Sequence, residues 1–249
     1  MWRGGQRLAK KGCGRHLKRY AAPKVLKLPR KTKVWVTKPA AGPHPADMAI
    51  PLRVLLRDYL GIARTAREAD MVISRGEVLI DGKVRRAPDF PVGFMDVVRL
   101  PALDCTYRIL LDHQGRLIPV KTNSSEASFK LCKIIRKQYV KGKKIQLTLH
   151  DGRNIVGDLL DYKPGDVVKI SLPEQNILER IPFEIGSIAM VTGGANVSRV
   201  GKITEIKMIT GTQPNIVTLE EGGVTFQAPE RYVFVLGKEK PAVSLLVSG

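Results

Sequence analysis

The sequence has 249 residues, of which 42 are Lys or Arg and 23 are Asp or Glu, giving a formal net charge of +19 and a pI near 10.1. This length allows about two domains, and the excess of positive charge favours a polyanionic partner. The longest uncharged stretch, residues 185–198, is shorter than the roughly 18–20 apolar residues that span a bilayer, so we expect no membrane partner.

The first 46 residues contain 13 Lys and Arg and no acidic residue. Such a segment repels itself, so we predict that residues 1–40 are largely disordered in the free protein. Trp2, Trp35 and several prolines lie among the cations, which favours an extended arm that orders against a polyanion. The alternative is a solvated tail that only aids solubility. No apolar block follows the first cations, and we expect no secretory signal.

Two helices are predicted after a proline-rich linker at residues 39–45. The apolar residues of the first recur with helical spacing at positions 52, 55, 56, 59 and 60, between Pro51 and Gly61. The second begins with a capping box, Thr65 and Glu68, and ends at Gly76. A hairpin follows, because residues 81–82 are Asp-Gly, which favours a type I′ turn.

Short strands are predicted for most of the remaining chain. They cover residues 97–100, 107–111, 117–120, 145–150, 155–160, 167–172, 188–191, 202–206, 216–219, 224–227 and 232–236. Between them, Asn123 and Glu126 resemble a capping box and predict a short basic helix that contains Lys130 and Lys133. Many short strands separated by turn residues are typical of small barrels.

Enzyme signatures are incomplete. The nearest match to a phosphate-binding loop, residues 194–203, has the wrong spacing and has Ile203 where a hydroxyl residue is required. The three cysteines show no C-x-x-C spacing, and Cys13 with His16 supplies only two ligands for a tetrahedral metal site. We therefore predict no enzyme activity, no catalytic residue, no cofactor, no metal site and no small-molecule substrate.

One near match concerns pseudouridine synthases. Residues 115–118, Gly-Arg-Leu-Ile, resemble the sequence around the catalytic aspartate of those enzymes, but Ile118 stands where the aspartate belongs. We interpret the segment as a hairpin turn.

Positively charged residues cluster on and after the two predicted helices. They are Arg53, Arg57, Arg64, Arg67, Arg75, Lys83, Arg85 and Arg86. Cations at this density can contact phosphates. Because aromatic residues are only 6% of the chain, folded RNA recognised by shape and backbone fits better than stacked, unpaired bases. The alternative is an ordinary solvated helix surface.

Two segments resemble known RNA-binding motifs. Residues 51–85, with Glu68-Ala69 and Ile80-Asp-Gly-Lys-Val-Arg85, look like the motif shared by universal ribosomal protein four, tyrosyl-tRNA synthetases and pseudouridine synthases. Residues 190–204, with Gly201 in the glycine position, resemble a KOW motif. Together with segments such as residues 16–19, 42–44, 93–97 and 234–238, this order resembles the archaeal and eukaryotic small-subunit ribosomal protein four, the "e" family, over nearly the whole chain.

The resemblance implies a multidomain fold, part α+β and part all-β. Its expected parts are a basic extended N-terminal arm at residues 1–42, a small helix-helix-hairpin RNA-binding domain at 43–106, a central β domain at 107–175 and a C-terminal SH3-like KOW β barrel at 176–249. The implied function is that of a structural constituent of the cytoplasmic small ribosomal subunit. Its expected partners are small-subunit rRNA and neighbouring ribosomal proteins.

Predicted rRNA contacts come from the resemblance and from spacing. The resemblance implies Arg15, His16, Lys18, Arg19 and Lys24 in the arm and Arg199 and Lys202 in the KOW motif. Lys130 and Lys133 lie in a matching segment, and spacing alone adds Arg53, Arg57, Arg64, Arg67, Arg75, Lys83 and Arg85. The extra basic residues before Gly12 have no assigned role. Two alternatives are an RNA-modifying enzyme with the same RNA-binding domain and a transcription or processing factor built on the KOW barrel.

Overall fold

The computed structural model describes residues 14, 16–29, 31–123 and 126–244. In this part of the chain the protein is mostly β, with few helices and several antiparallel sheets. No helix within these ranges is long and apolar enough to cross a membrane.

The described part of the N-terminal arm packs against the rest of the protein, so our prediction of disorder is wrong for residues 16–29 and 31–40. Strands β1 (Leu17–Lys18) and β2 (Trp35–Val36) pair as an antiparallel ribbon. Between them Leu26 is buried, and the Val25 carbonyl accepts a hydrogen bond from the amide of Leu117 at 3.2 Å. Apolar residues among the cations therefore give the arm a place in the core.

A short strand and two helices follow the arm. Strand β3 (Ala49–Pro51) leads into α1 (Leu52–Val54), which continues as one π-helical stretch, Leu55–Tyr59. Helix α2 (Ala66–Arg75) begins as predicted, because the Thr65 hydroxyl accepts a hydrogen bond from the Glu68 amide at 3.2 Å. It ends at Gly76, whose φ of +81° suits glycine.

The first large sheet begins with the predicted hairpin. Its strands and the neighbouring short strand are β4 (Leu79–Ile80), β5 (Lys83–Val84), β6 (Pro91–Gly93), β7 (Val97–Leu100), β8 (Cys105–Leu111) and β9 (Leu117–Lys121). The order is β5-β4-β7-β8-β9, while β6 pairs with β3. Positive φ values at Asp81 and Gly82 confirm the predicted type I′ turn.

The segment predicted as a basic helix is a strand of the central sheet, so that prediction is wrong. Its strands are β10 (Phe129–Tyr139), β11 (Ile145–Leu149), β12 (Asn154–Gly157), β13 (Val167–Ser171) and β14 (Ile177–Ile181), in the order β12-β11-β10-β13-β14. Strand β10 lies in the middle and pairs with β11 and β13, which supply the backbone partners that a helix would find within itself. Strand β14 was not predicted.

The third sheet uses most of the remaining chain. Its strands are β15 (Ile188–Val191), β16 (Val200–Lys207), β17 (Ile216–Glu221), β18 (Val224–Pro229) and β19 (Val233–Gly237), in the order β18-β17-β16-β15-β19. The buried residues of the first and third sheets belong to one core cluster, while Cys132, Ile134 and their neighbours form a smaller one in the central sheet. Phe94 and Phe234 meet edge to face where the sheets converge, with ring centroids 5.1 Å apart.

Candidate nucleic-acid interface

Helix α2 presents an exposed basic face. Ala69 and Ile73 are buried against the core, so the opposite face, with Arg67 and Arg75, is turned to solvent. Arg64 precedes the helix and is also exposed, and its amide donates a 2.9 Å hydrogen bond to Glu68. That hydrogen bond lowers the pKa of Glu68. The carboxylate is thus committed to the helix N-terminus, and the arginine side chains remain available to an external anion.

The turn after α2 adds cations to this region. Lys83 is exposed on β5. Arg85 is half-buried, with its guanidinium carbon 4.6 Å from the centre of the Phe90 ring. Its Nε is buried and has no hydrogen-bond partner among the described residues, so the guanidinium retains donor capacity. Near the end of α2, the nearest Arg75–Glu77 contact is 3.9 Å long and joins two well-exposed side chains.

Arg53 and Arg57 are less available than their spacing indicates. Both oxygens of the Asp70 carboxylate accept hydrogen bonds from Arg53, at 2.6 and 2.7 Å. Arg57 forms the same kind of bidentate pair with Asp58, at 2.9 and 2.6 Å. Such pairs fix the plane of a guanidinium group and neutralise much of its charge. The Arg53–Asp70 pair joins α1 to α2, whereas the Arg57–Asp58 pair lies within the π-helical stretch itself.

The arm presents three exposed predicted contacts and one that is tied internally. His16, Lys18 and Lys24 are exposed. The guanidinium of Arg19 donates hydrogen bonds to the backbone carbonyls of Pro29 and Leu28, which closes the loop between β1 and β2. Arg15 lies outside the described residues.

Lys130 is buried in the described part of the structure, which contradicts its prediction as an rRNA contact. Its side chain is only 1% exposed, and its ammonium nitrogen lies 2.9 Å from Asp81 and 3.1 Å from Asp151 and also contacts Asp96. Burial alone lowers the pKa of Lys130, but the attraction of Asp96 and Asp81 outweighs burial and holds that pKa well above its usual value. Lys130 is a buried cation that joins the first sheet to the central sheet.

Lys133 is also an internal residue, so its assignment as an rRNA contact is corrected too. Its ammonium nitrogen donates to the backbone carbonyls of Glu230, Arg231 and Val233 at 3.0, 3.2 and 2.7 Å. Burial lowers the pKa of Lys133 to about 8. The side chain links the central sheet to the entrance of β19 in the third sheet.

The two predicted KOW contacts lie on β16 and just before it. Lys202 is exposed on the strand. Arg199 is half-exposed, pairs with Glu221 at 2.9 Å and covers the Phe226 ring, with its guanidinium carbon 4.0 Å from the ring centre. The exposed side chain of Lys202 can contact a phosphate directly from the strand surface. Arg199 must first release the carboxylate of Glu221 or share it with the phosphate.

Two arginines, Arg108 fully buried and Arg153 partly buried, complete the junction between the sheets, and neither was singled out from the sequence. Arg153 pairs with Asp81 and lies 3.1 Å from Asp151. Arg108 is fully buried and donates to the carbonyls of Glu126 and Phe129 at 2.6 and 3.0 Å. Burial lowers the pKa of Arg108. Their partners are distant in sequence, so no local spacing signals these roles.

Cys132, His150 and Asp151 form a compact group of possible metal ligands. Their ligand atoms lie within 4.8 Å of one another. The Asp151 carboxylate is already 3.1 Å from both Lys130 and Arg153, and the His150 ring accepts a 3.2 Å hydrogen bond from the amide of Lys133. These contacts account for the geometry, and the two neighbouring cations oppose a metal ion.

Comparisons with known proteins give a consistent picture. Three family models match: Ribosomal family S4e at residues 103–177, the RS4NT domain at 11–47 and the S4 domain at 51–98. The chain is 45% identical over 239 residues to small ribosomal subunit protein eS4 of Methanosphaera stadtmanae, covering 96% of this chain and 99% of the relative. It is 47% identical over 247 residues to the protein of that name from Methanocaldococcus jannaschii, covering 96% and 100%.

A solved structure is similar as well. The crystal structure of the 30S ribosomal protein S4e from Thermoplasma acidophilum superposes with a TM-score of 0.69 at 35% sequence identity. The match covers 77% of this chain and 96% of that one.

Proposed function

The chain belongs to the ribosomal protein family S4e, and from this membership we propose that it is a structural component of the small ribosomal subunit that binds small-subunit rRNA. As a member of this family it is a ribosomal protein and not an enzyme. The alternative of an RNA-modifying enzyme has no support, because the relatives are ribosomal proteins and residues 115–118 form the end of the turn after β8 and the start of β9. Its partners are rRNA and neighbouring ribosomal proteins.

The proposed layout has four parts, with the borders expected from the sequence: the arm at 1–42, the helix-and-hairpin RNA-binding domain at 43–106, the central β domain at 107–175 and the KOW barrel at 176–249. The antiparallel five-stranded third sheet supports the SH3-like barrel. Gly201 supports the KOW motif, because a Cβ atom at this position would lie 2.8 Å from the carbonyl oxygen of Glu220. Only glycine lets β16 and β17 approach so closely there.

The basic face of α2 and the following hairpin carries this proposal. Arg64, Arg67, Arg75 and Lys83 are all exposed within the part that matches the S4 domain. Guanidinium and ammonium groups on a rigid helix and hairpin suit phosphate oxygens, which set affinity and register without reading base sequence. Exposed His16, Lys18 and Lys24 of the arm and Lys202 of β16 extend the contact surface, with Arg199, Arg85 and Arg19 at its margins.

Fractionation of a cell lysate on a sucrose gradient tests the proposal most directly. A small-subunit protein sediments with the small subunit and with whole ribosomes at low salt, and it leaves the particles as salt weakens the phosphate contacts. Co-sedimentation with RNA polymerase and not with ribosomes would instead support a transcription factor. A protein that stays at the top of a low-salt gradient would contradict both readings.

A further inference from the structure

The ribbon formed by β1 and β2 displays an exposed indole ring beside two cationic or ionisable side chains. Lys18 and Trp35 are directly paired across the ribbon, so their side chains lie on the same face. The Lys18 ammonium nitrogen is 5.7 Å from the centre of the Trp35 ring, and the His16 ring centre is 5.6 Å away. Leu17 and Val36 form the adjacent pair and are partly buried on the other face.

Trp35 stays 55% exposed in spite of these neighbours. A tryptophan that served only to hold the arm in place would bury most of its ring against the core. Leu26, in the loop between β1 and β2, buries its side chain in this way. Here more than half of the indole surface is open, and the residues beside it provide positive charge and hydrogen-bond donors.

A cavity of about 390 Å³ opens beside this ring, between the ribbon and the helix-and-hairpin domain. Its wall includes His16, Trp35, Thr37, Arg53 and Asp89. The volume falls within the range of about 300–1,000 Å³ that is typical of small-ligand sites.

The wall of this cavity is held in place from two sides. Arg53 is fixed by its bidentate pair with Asp70 and reaches the Thr37 hydroxyl at 3.5 Å. The Ala40 amide donates to the Asp89 carbonyl at 2.8 Å, which fastens the arm beside the cavity. The site is therefore formed before any ligand arrives.

We propose that this cavity receives one unpaired nucleotide of the small-subunit rRNA, with its base stacked on Trp35 and its phosphate against Lys18 and His16. Base–aromatic stacking suits unpaired bases of any identity, and the Lys18 ammonium group and the His16 ring can donate hydrogen bonds to the phosphate that the base brings with it. This inference rests on the proposed rRNA binding and adds a stacking contact to a surface that is otherwise built for phosphates. The wall also carries the polar side chains of Thr37 and Asp89.

Tryptophan fluorescence tests the stacking contact directly. The chain has two tryptophans, so a Trp2→Phe background leaves Trp35 as the single emitter. We expect a full-length small-subunit rRNA transcript and single-stranded oligoadenylate to quench its emission. A fully paired RNA duplex of the same length as the oligoadenylate should not. Equal quenching by the duplex, or no quenching by rRNA that is shown to bind, would overturn the inference.

Affinity measurements on full-length variants supply the second readout. Trp35→Ala should weaken binding of the rRNA transcript about 5- to 150-fold, the range that corresponds to loss of one stacked base. The slope of log affinity against log salt should stay unchanged, because no phosphate contact is removed. Trp35→Phe should restore part of the loss. Tyr139→Ala, which removes a 73% exposed aromatic side chain from the central sheet, should change affinity by less than about twofold.

These outcomes separate the inference from the proposed function. If wild-type protein binds rRNA with the expected salt dependence and Trp35→Ala binds equally well, the stacking site is refuted and the rRNA-binding function stands. If wild-type protein does not bind rRNA at all, both are refuted.

Discussion

The ammonium nitrogen of Lys130 lies 2.9 Å from a carboxylate oxygen of Asp81, and this contact joins β10 of the central sheet to the β4–β5 hairpin of the first sheet. The other oxygen of Asp81 accepts a 3.0 Å hydrogen bond from the amide of Val97. Asp81 therefore bonds to a backbone amide of its own sheet and to a buried cation of the central sheet. The relative position of the two sheets is set by charge as well as by apolar packing.

Replacing Lys130 with methionine should destabilise the protein strongly. The substitution leaves Asp81, Asp96 and Asp151 with a smaller share of compensating charge, and loss of one partner of a buried ion pair costs about 3–5 kcal/mol. Urea denaturation at pH 7 measures the loss. Lys24→Met, which removes an exposed lysine of the arm, should change the free energy of unfolding by less than about 0.5 kcal/mol. Equal stability of both variants would contradict the role given to Lys130.

Acidification should destabilise the protein through His150 between about pH 6.5 and pH 4. Burial lowers the pKa of His150 to about 4, with Lys130 adding to the effect, and the neutral ring accepts a hydrogen bond from the Lys133 amide. Because the folded-state pKa is below the unfolded one, the unfolded state binds the proton first, and stability falls by up to about 3 kcal/mol as pH drops through this window. Denaturation midpoints measured across it test the prediction.

The matched variants for this pH dependence are His150→Gln and His113→Gln. The first should flatten the loss of stability between pH 6.5 and 4, whereas the second changes a 77% exposed side chain and should leave the pH profile as it is. Asp96 and Asp151 have lowered pKa values because neighbouring cations outweigh burial, so they add a separate loss of stability below about pH 4. An unchanged profile in His150→Gln would exclude that histidine as the cause.

Gly93→Ala should be far more damaging than Gly157→Ala. A Cβ atom on Gly93 would lie 2.2 Å from Cγ of His44, so the imidazole ring must move and its 3.0 Å contact with Asp96 is lost. Overpacking of this kind costs about 1–3 kcal/mol. The nearest atom to a Cβ on Gly157 is 3.8 Å away, which is ordinary contact. Thermal unfolding should show a lower midpoint for Gly93→Ala, and similar midpoints for the two variants would disprove the crowding argument.

Removing the exposed arginines on and just before α2 should weaken rRNA binding and make the affinity less sensitive to salt. If about six cations sit on phosphates, log affinity falls with log salt at a slope of roughly −4 to −5.5. The triple variant Arg64→Gln, Arg67→Gln, Arg75→Gln should make this slope less negative by roughly 2 to 3. A triple variant of equal charge, Lys207→Gln, Lys238→Gln, Lys240→Gln, is the control, since these exposed lysines are not among the predicted contacts. Identical slopes for the two variants would remove the basic face of α2 from the interface.

Sequence reasoning succeeded where local signals decide the structure. The Asp81-Gly82 turn and the Thr65 cap depend on neighbours a few residues away, and both are present as predicted. The predicted helix at residues 123–137 failed because pairing with β11 and β13 overrides its helix-like spacing of cations. Lys130 was misassigned for a related reason: its partners Asp81 and Asp96 are 49 and 34 residues away in sequence, so its burial leaves no local trace.

The hydrogen bond between the Val25 carbonyl and the Leu117 amide also sets an order of events during synthesis. Residues 16–29 leave the peptidyl-transferase centre first, but the strand that receives them is made 92 residues later. At about 5–20 residues per second, that interval lasts roughly 5 to 18 seconds. Throughout it the acid-free segment lacks this partner in β9, although earlier partners such as Tyr59, which accepts a hydrogen bond from the Lys27 amide, are already made. Any nascent transcript that captures the segment then competes directly with closure of the fold.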